Sequence, residues 1–177
     1  MKTTLRTILY LALAIWLGAE IFFPVVAAVT FTTLMPDVHA AGTIVGALLR
    51  ILHQTGLFAG IVALVVLAVA PAAHIYRPRA VLAPMLLVLV MMLCTAYSQF
   101  GIVPAMERDR LAAGGAIEPG DTNSPYVAGF NRLHRRSEHV EGAIILLGLV
   151  TVALIAWAES RSPGSQNLQA TPGPVSS

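Results

Sequence analysis

Apolar residues occur along this chain in long runs separated by short polar stretches. Residues 5–31, 42–70 and 81–103 form three such runs, and a fourth, 143–158, follows a polar approach that begins at Phe130. A helix needs about 20 apolar residues to cross a bilayer. The pattern therefore predicts four spans, at about 5–31, 42–70, 81–103 and 140–158. A secretory signal also begins with basic residues such as Lys2 and Arg6, but its apolar core runs to about 7–15 residues, and this first run is longer. Phe31 to Ala41 is expected to be a short connection containing Pro36, Asp37 and His39, with Asp37 able to cap the helix that follows. Pro71 to Pro84 reads as a turn and Gly114 to Ser124 as an exposed loop. Ser124 and Pro125 make a good helix start, as N-cap and first helical residue. A last helix from Pro125 to Glu159 is roughly 50 Å long at 1.5 Å per residue, so its first third projects into or past the headgroups. The expected architecture is an all-α, four-helix transmembrane bundle in one domain, residues 1–159. The stretch 160–177, rich in Ser, Pro and Gly, is expected to be a disordered tail.

Composition strengthens that picture. Of the 177 residues 56% are hydrophobic and 11% charged, against about 25% charged in a soluble domain, and the mean hydropathy is +0.76. The net charge is only +2 and the basic residues are scattered, so a nucleic-acid partner is not expected. The single cysteine, Cys94, rules out a disulfide within the chain. Lys and Arg near the span ends number five on the N-terminal side (Lys2, Arg6, Arg77, Arg79, Arg161) and six on the other. The positive-inside rule is therefore nearly balanced, and only the weight of the first span points to an N-terminus inside.

The candidate chemistry lies in a few polar residues. Glu20 sits near the middle of the first run, on the face of Trp16, Phe23 and Ala27. A mid-bilayer carboxyl costs about 2.5–3.5 kcal/mol on insertion scales, so it should face the bundle and be paired or protonated, with His53 or a hydroxyl such as Ser98 as its partner. At about 100° per residue, Phe130, His134, Ser137 and Glu141 share one side of the last helix. Arg132, Arg135, Arg136 and His139 share the other, which reads equally as a site for anionic lipid headgroups and as a plain solvated face. Gly42, Gly46, Gly56 and Gly60 fall within roughly 80° on one face of the second helix, together with His53. Small-x-x-x-small pairs of this kind allow close helix contact in lipid, either within the chain or in a homo-oligomer. Four spans place the first and third loops at one end of the bundle. That gathers His39, His53, Tyr97, Ser98, Gln99, His134, Ser137 and Glu141 toward that end.

Beyond the pattern, the chain resembles the transmembrane-protein-205-like family of small four-span membrane proteins. The resemblance rests on Trp16-x-Gly18 with Phe22-Phe23, on Phe31 and Pro36, on Ala41-Gly42-x-x-x-Gly46, on Pro104-Ala105-Met106-x-x-x-Arg110, and on Phe130-x-x-Leu133-His134-x-x-Ser137. It covers residues 10–158. It implies a four-helix membrane protein and no agreed activity. A eukaryotic relative's association with tolerance to toxic metal drugs points loosely to export or trafficking. Glu141 departs from the pattern, since a small or amide residue is expected near that position.

Three function classes follow. The first is a small transport or permeation (or membrane-stress-tolerance) component, with Glu20, His53, His134, Ser137 and Glu141 as ligand- or proton-binding candidates. The second is a non-catalytic scaffold that binds a partner or anionic lipid. The third is a redox protein holding haem or metal through His39, His53, His134 and His139, or through Met91, Met92 and Cys94. No catalytic motif, metal motif or cofactor motif is present, so neither an enzyme nor a bound cofactor is expected. The protein should be multi-pass, in the inner (cytoplasmic) membrane if its source is bacterial.

Overall fold

The computed structural model describes residues 1–115, 117 and 124–160. Most of the expected loop 114–124 and the tail from 161 onward lie outside the described residues. The elements are α1 (Lys2–Leu34), α2 (Val38–Val69), α3 (Pro78–Tyr97), a π-helical turn (Ser98–Ile102), α4 (Val103–Ala112) and α5 (Pro125–Ser160). Among the described residues there is no strand. Helix α3, the π turn and α4 run on as a single rod, and with α1, α2 and α5 this makes four rods long and apolar enough to cross a membrane.

Local chemistry explains where the rods begin. The Asp37 carboxylate accepts the Ala40 backbone N–H at 2.8 Å, which starts α2 four residues earlier than its apolar run. The connection expected over Phe31–Ala41 is consequently only Met35, Pro36 and Asp37. Pro78 occupies the first turn of α3, where its missing N–H costs nothing, so the expected turn ends there and Pro84 lies inside the helix. His74 closes that turn with a left-handed φ of 52°. The Ser124 hydroxyl accepts the Val127 N–H at the start of α5, at 3.5 Å.

The rods form a closed ring. Helix α1 packs on α2, α2 on α3, α3 on α5, and α5 closes back on α1. Leu9, Leu13, Trp16, Ala63, Leu67, Val88, Met91, Ile144 and Ile155 fill the interior. Large apolar side chains such as Phe22, Phe58, Leu82, Phe100 and Leu146 point outward, as they do where lipid is the solvent. Without a hydrophobic drive between apolar helices in lipid, close packing carries association. Here Gly56 and Gly60 let the Trp16 ring lie flat on α2. A Cβ at Gly56 would overlap Trp16 Nε1, and one at Gly60 would stand 2.9 Å from Trp16 Cζ3 and 2.6 Å from Met92 Cγ. Of the four glycines on that face, these two are taken up inside the bundle, whereas Gly42 and Gly46 have open space where a Cβ would be.

Candidate functional site

The two ends of the ring are fixed by different polar contacts. At one end an Arg110 guanidinium nitrogen lies 3.1 Å from His39 Nδ1 and donates to the Gly115 carbonyl at 2.9 Å. Arg110 also forks onto Glu107, at 2.7 and 3.0 Å. This joins the start of α2 to α4, as the four-span topology requires. At the other end Glu159 accepts the hydroxyls of Tyr10 at 2.9 Å and Tyr76 at 2.8 Å. Arg6 Nε lies 3.4 Å from Glu159 Oε1, close enough to pair charge but not aligned as a hydrogen bond. Its guanidinium stands 5.8 Å from the centre of the Tyr76 ring. Burial and the Glu159 carboxylate push the Tyr76 phenol above its ordinary value.

Between these ends lies a third cluster, drawn from all four rods. Trp16, seated on Gly56 and Gly60, donates its indole N–H to Glu20 Oε1 at 3.2 Å. The Glu20 carboxyl in turn neighbours that of Glu141. Glu141 Oε1 accepts the Ser98 hydroxyl at 2.8 Å and stands 2.9 Å from His53 Nε2. The other ring nitrogen, His53 Nδ1, is 3.0 Å from Gln99 Oε1. His53 and Ser98 are fully buried and Glu20 is 2% exposed, while the Glu141 side chain retains 16%. Glu141 is thus the more exposed of the two carboxyls.

The hydrogen-bond inventory constrains where the protons are. Both His53 nitrogens face acceptor oxygens, and a ring that donates to both carries two protons. With the Gln99 amide turned over, its N–H₂ would donate and one proton would suffice. Glu141 Oε2 is buried without a donor among the described residues, and the neighbouring Glu20 carboxyl could donate to it only when protonated. One proton shared by Glu20 and Glu141, with a doubly protonated His53, makes the cluster neutral overall. Neutrality is the least costly arrangement away from water.

Helix α3 passes into a π turn where it meets this cluster. The Val103 N–H bonds to the Ser98 carbonyl, five residues back. The turn widens the helix by one residue and directs two consecutive side chains, Ser98 and Gln99, to Glu141 and His53. Such turns recur at functional sites.

Three of the expected site residues are joined here, and two are not. Glu20, His53 and Glu141 converge, and Glu20 meets His53 through Glu141. Ser137 is buried one turn before Glu141. His134 stands apart. It is exposed, 3.3 Å from Glu138, and stacked on Phe130 with ring centres 6.1 Å apart. Its direction around α5 agrees with Glu141, but its depth does not, because seven residues move it about 10 Å toward the helix start. The sequence pattern puts His53, Ser98 and Gln99 toward helix ends; the longer helices bring them near the middle of their rods. Glu159, Tyr10 and Tyr76 were not singled out by the sequence at all. The signal available was weak: aromatic hydroxyls and one acid at span ends, which also fits plain interfacial anchoring. Met91 turns to α5, with its sulfur 4.0 Å from the Thr151 hydroxyl, while Met92 lies against Gly60 on α2. Among the described residues no three His, Cys, Asp or Glu side chains converge as around a metal ion. An apolar groove between α2 and α3, lined by Leu64, Val65, Ala68, Met85, Leu86 and Leu89, lies on the outside, away from the cluster.

Fold and site together define a multi-pass membrane bundle with a largely buried carboxyl–imidazole cluster. The chain belongs to the DUF4149 family, a domain of unknown function, whose family model matches residues 11–112. The match includes Glu20, His53, Ser98 and Gln99 and stops short of α5, which supplies Glu141. No curated protein and no solved structure matches the chain.

Proposed function

We propose that the chain is a small, non-enzymatic transport or permeation protein whose interior cluster accepts and passes protons across part of the membrane. The observation that carries this reading is the contact of two carboxyls and an imidazole, Glu20, Glu141 and His53, contributed by three rods and shut off from bulk water. An imidazole with oxygens at both nitrogens can take up a proton on one and release it from the other. A carboxyl pair sharing a proton is a ready donor and acceptor for it. Ionisable residues inside membrane bundles commonly mark such pathways. Glu141 is the entry, being the more exposed of the two carboxyls. Trp16, Ser98 and Gln99 are positioning residues that hold the carboxyls and the ring in line. A cell-membrane location and a role in membrane-stress tolerance would accord with this reading, the latter through the resemblance to the transmembrane-protein-205-like family. Gly42 and Gly46, with open space above them, support a homo-oligomer, which would give a four-rod chain the room for a complete path.

The test is a flux measurement. The full chain is reconstituted into liposomes loaded with a pH-sensitive dye, and a pH step is imposed with charge compensation. The expected result is a faster collapse of the gradient than in protein-free vesicles, and its slowing in Glu20→Gln and Glu141→Gln proteins of unchanged helicity. A wild-type protein that leaves the gradient as stable as in empty vesicles sinks the proposal.

A further inference from the structure

The outward face of α5 carries Arg132, Arg135, Arg136 and His139, all exposed. They recur at i, i+3, i+4 and i+7 and so form a stripe about 10 Å long. Among the described residues none of the three arginines pairs with a carboxylate. Glu138, the acid in the same stretch, lies about 60° around the helix from Arg135 at the edge of the stripe and stands 3.3 Å from His134. The stripe ends on an aromatic step. The Arg136 guanidinium stands 5.4 Å from the centre of the Tyr97 ring. Tyr97 is 44% and Phe100 72% exposed, and both sit where α3 enters the π turn.

Depth decides what this surface meets. Glu159, with Arg6 and the two tyrosine hydroxyls, marks one polar boundary of the bundle. Arg136 lies twenty-three residues before it on the same straight helix, about 35 Å at 1.5 Å per residue. The hydrocarbon core is about 30 Å thick, and with headgroups about 40–45 Å. With Glu159 at one edge of the core, Arg135 and Arg136 fall in the opposite headgroup layer, and Tyr97 and Phe100 at its inner margin. Aromatic residues favour that margin, and guanidinium groups match phosphate oxygens through paired N–H donors.

We propose that this stripe is a binding site for the phosphate of anionic phospholipids, with Arg132, Arg135 and Arg136 as its ligands and Tyr97 holding Arg136 over the acyl-chain boundary. The occupant is a membrane lipid, selected by its net negative headgroup, on the seam between α3 and α5. This site is separate from the interior cluster and does not depend on proton movement through it.

Native mass spectrometry of the detergent-solubilised full chain, titrated with phosphatidylglycerol or with phosphatidylcholine, tests the assignment. Each basic residue near a lipid surface contributes roughly fivefold in partitioning. The wild-type protein should therefore retain phosphatidylglycerol at least about tenfold better than phosphatidylcholine, and that preference should shrink as salt is raised. The triple variant Arg132→Gln, Arg135→Gln, Arg136→Gln should lose the preference. The triple Lys variant should keep part of it, because charge survives while paired donation does not. Arg77→Gln with Arg79→Gln, at the opposite end, should leave it unchanged. Equal retention of the two lipids by wild-type protein overturns the proposal without reference to any variant. So does an unchanged preference in the triple Gln protein, or displacement of the preference to the Arg77–Arg79 end.

Discussion

Glu141 and Glu159 are the same residue type on the same face of the same helix, eighteen residues and five turns apart. Each accepts two side-chain donors, yet their surroundings differ in kind. Glu159 receives two phenol hydroxyls and faces Arg6 at a bundle end, where its negative charge is compensated by fixed donors and a permanent cation. Glu141 receives a hydroxyl and an imidazole, keeps one buried oxygen without a donor, and lies against a second carboxyl. The first arrangement ties the start of α1, the α2–α3 turn and the end of α5 into a closed end, and nothing in it needs to change. The second has more acceptors than fixed donors and reaches balance only when protons are added to it. A count of donors against acceptors, more than burial, separates the clasp from the site.

The largest expected effect comes from breaking the interior arrangement. His53→Ala removes the partner of Glu141 and leaves Gln99 without its ring, and loss of one member of a buried ionic pair typically costs about 3–5 kcal/mol. Equilibrium unfolding of the detergent-solubilised protein should show a loss in that range; a loss below about 1 kcal/mol would mean that Glu141 is not held by His53. Next, Gly56→Val drives a side chain into Trp16, whose ring has no room to move, and overpacking of this kind costs about 1–3 kcal/mol. It should also shift the tryptophan emission, since Trp16 is displaced from Glu20; unchanged emission would refute the seating of Trp16 on Gly56. Tyr76→Phe deletes one of the two hydroxyl bonds to Glu159 and should cost about 1 kcal/mol, with proton flux unaffected. The smallest effect is spectroscopic. Because the folded Tyr76 phenol titrates above its ordinary value of about 10, the stability it contributes is whole below pH 10 and is lost as pH rises past it toward the folded value. Phenolate absorbance should therefore lag that of the unfolded chain above pH 10, and the lag should diminish in Glu159→Gln.

Much of the fold was legible because bilayer thickness imposes a length and an absence of charge that sequence displays directly. The caps at Asp37 and Ser124 were legible too, since a cap is a local bond between residues three apart. The shared phase of Gly42, Gly46, Gly56, Gly60 and His53 pointed to a tight helix contact, which Gly56 and Gly60 make with Trp16 and Gly42 and Gly46 do not make. Glu20 was expected to turn inward, and does. The sequence did not disclose which helix receives the glycines, because phase around one helix names no partner. Nor did it disclose depth: His134 and Glu141 share a phase, and only the length of the neighbouring rods separates the exposed from the buried. The clasp at Glu159 depends on residues as far as 149 positions apart, a relation no spacing rule encodes.

The π turn has a consequence for how this chain tolerates insertion and deletion. Because the Ser98–Ile102 segment holds one residue more than an α-helix of the same rise, the third rod carries a phase step between its two halves. Deleting the exposed Phe100 would leave an uninterrupted α-helix of the same rise, because the wide turn absorbs its surplus residue locally. The rod beyond it, with the Arg110–His39 contact, would stay in place. Only the local crowding of Ser98 and Gln99 toward Glu141 and His53 would relax. The extra residue is thus a local spacer, and its removal would be felt at the cluster and nowhere further along the rod.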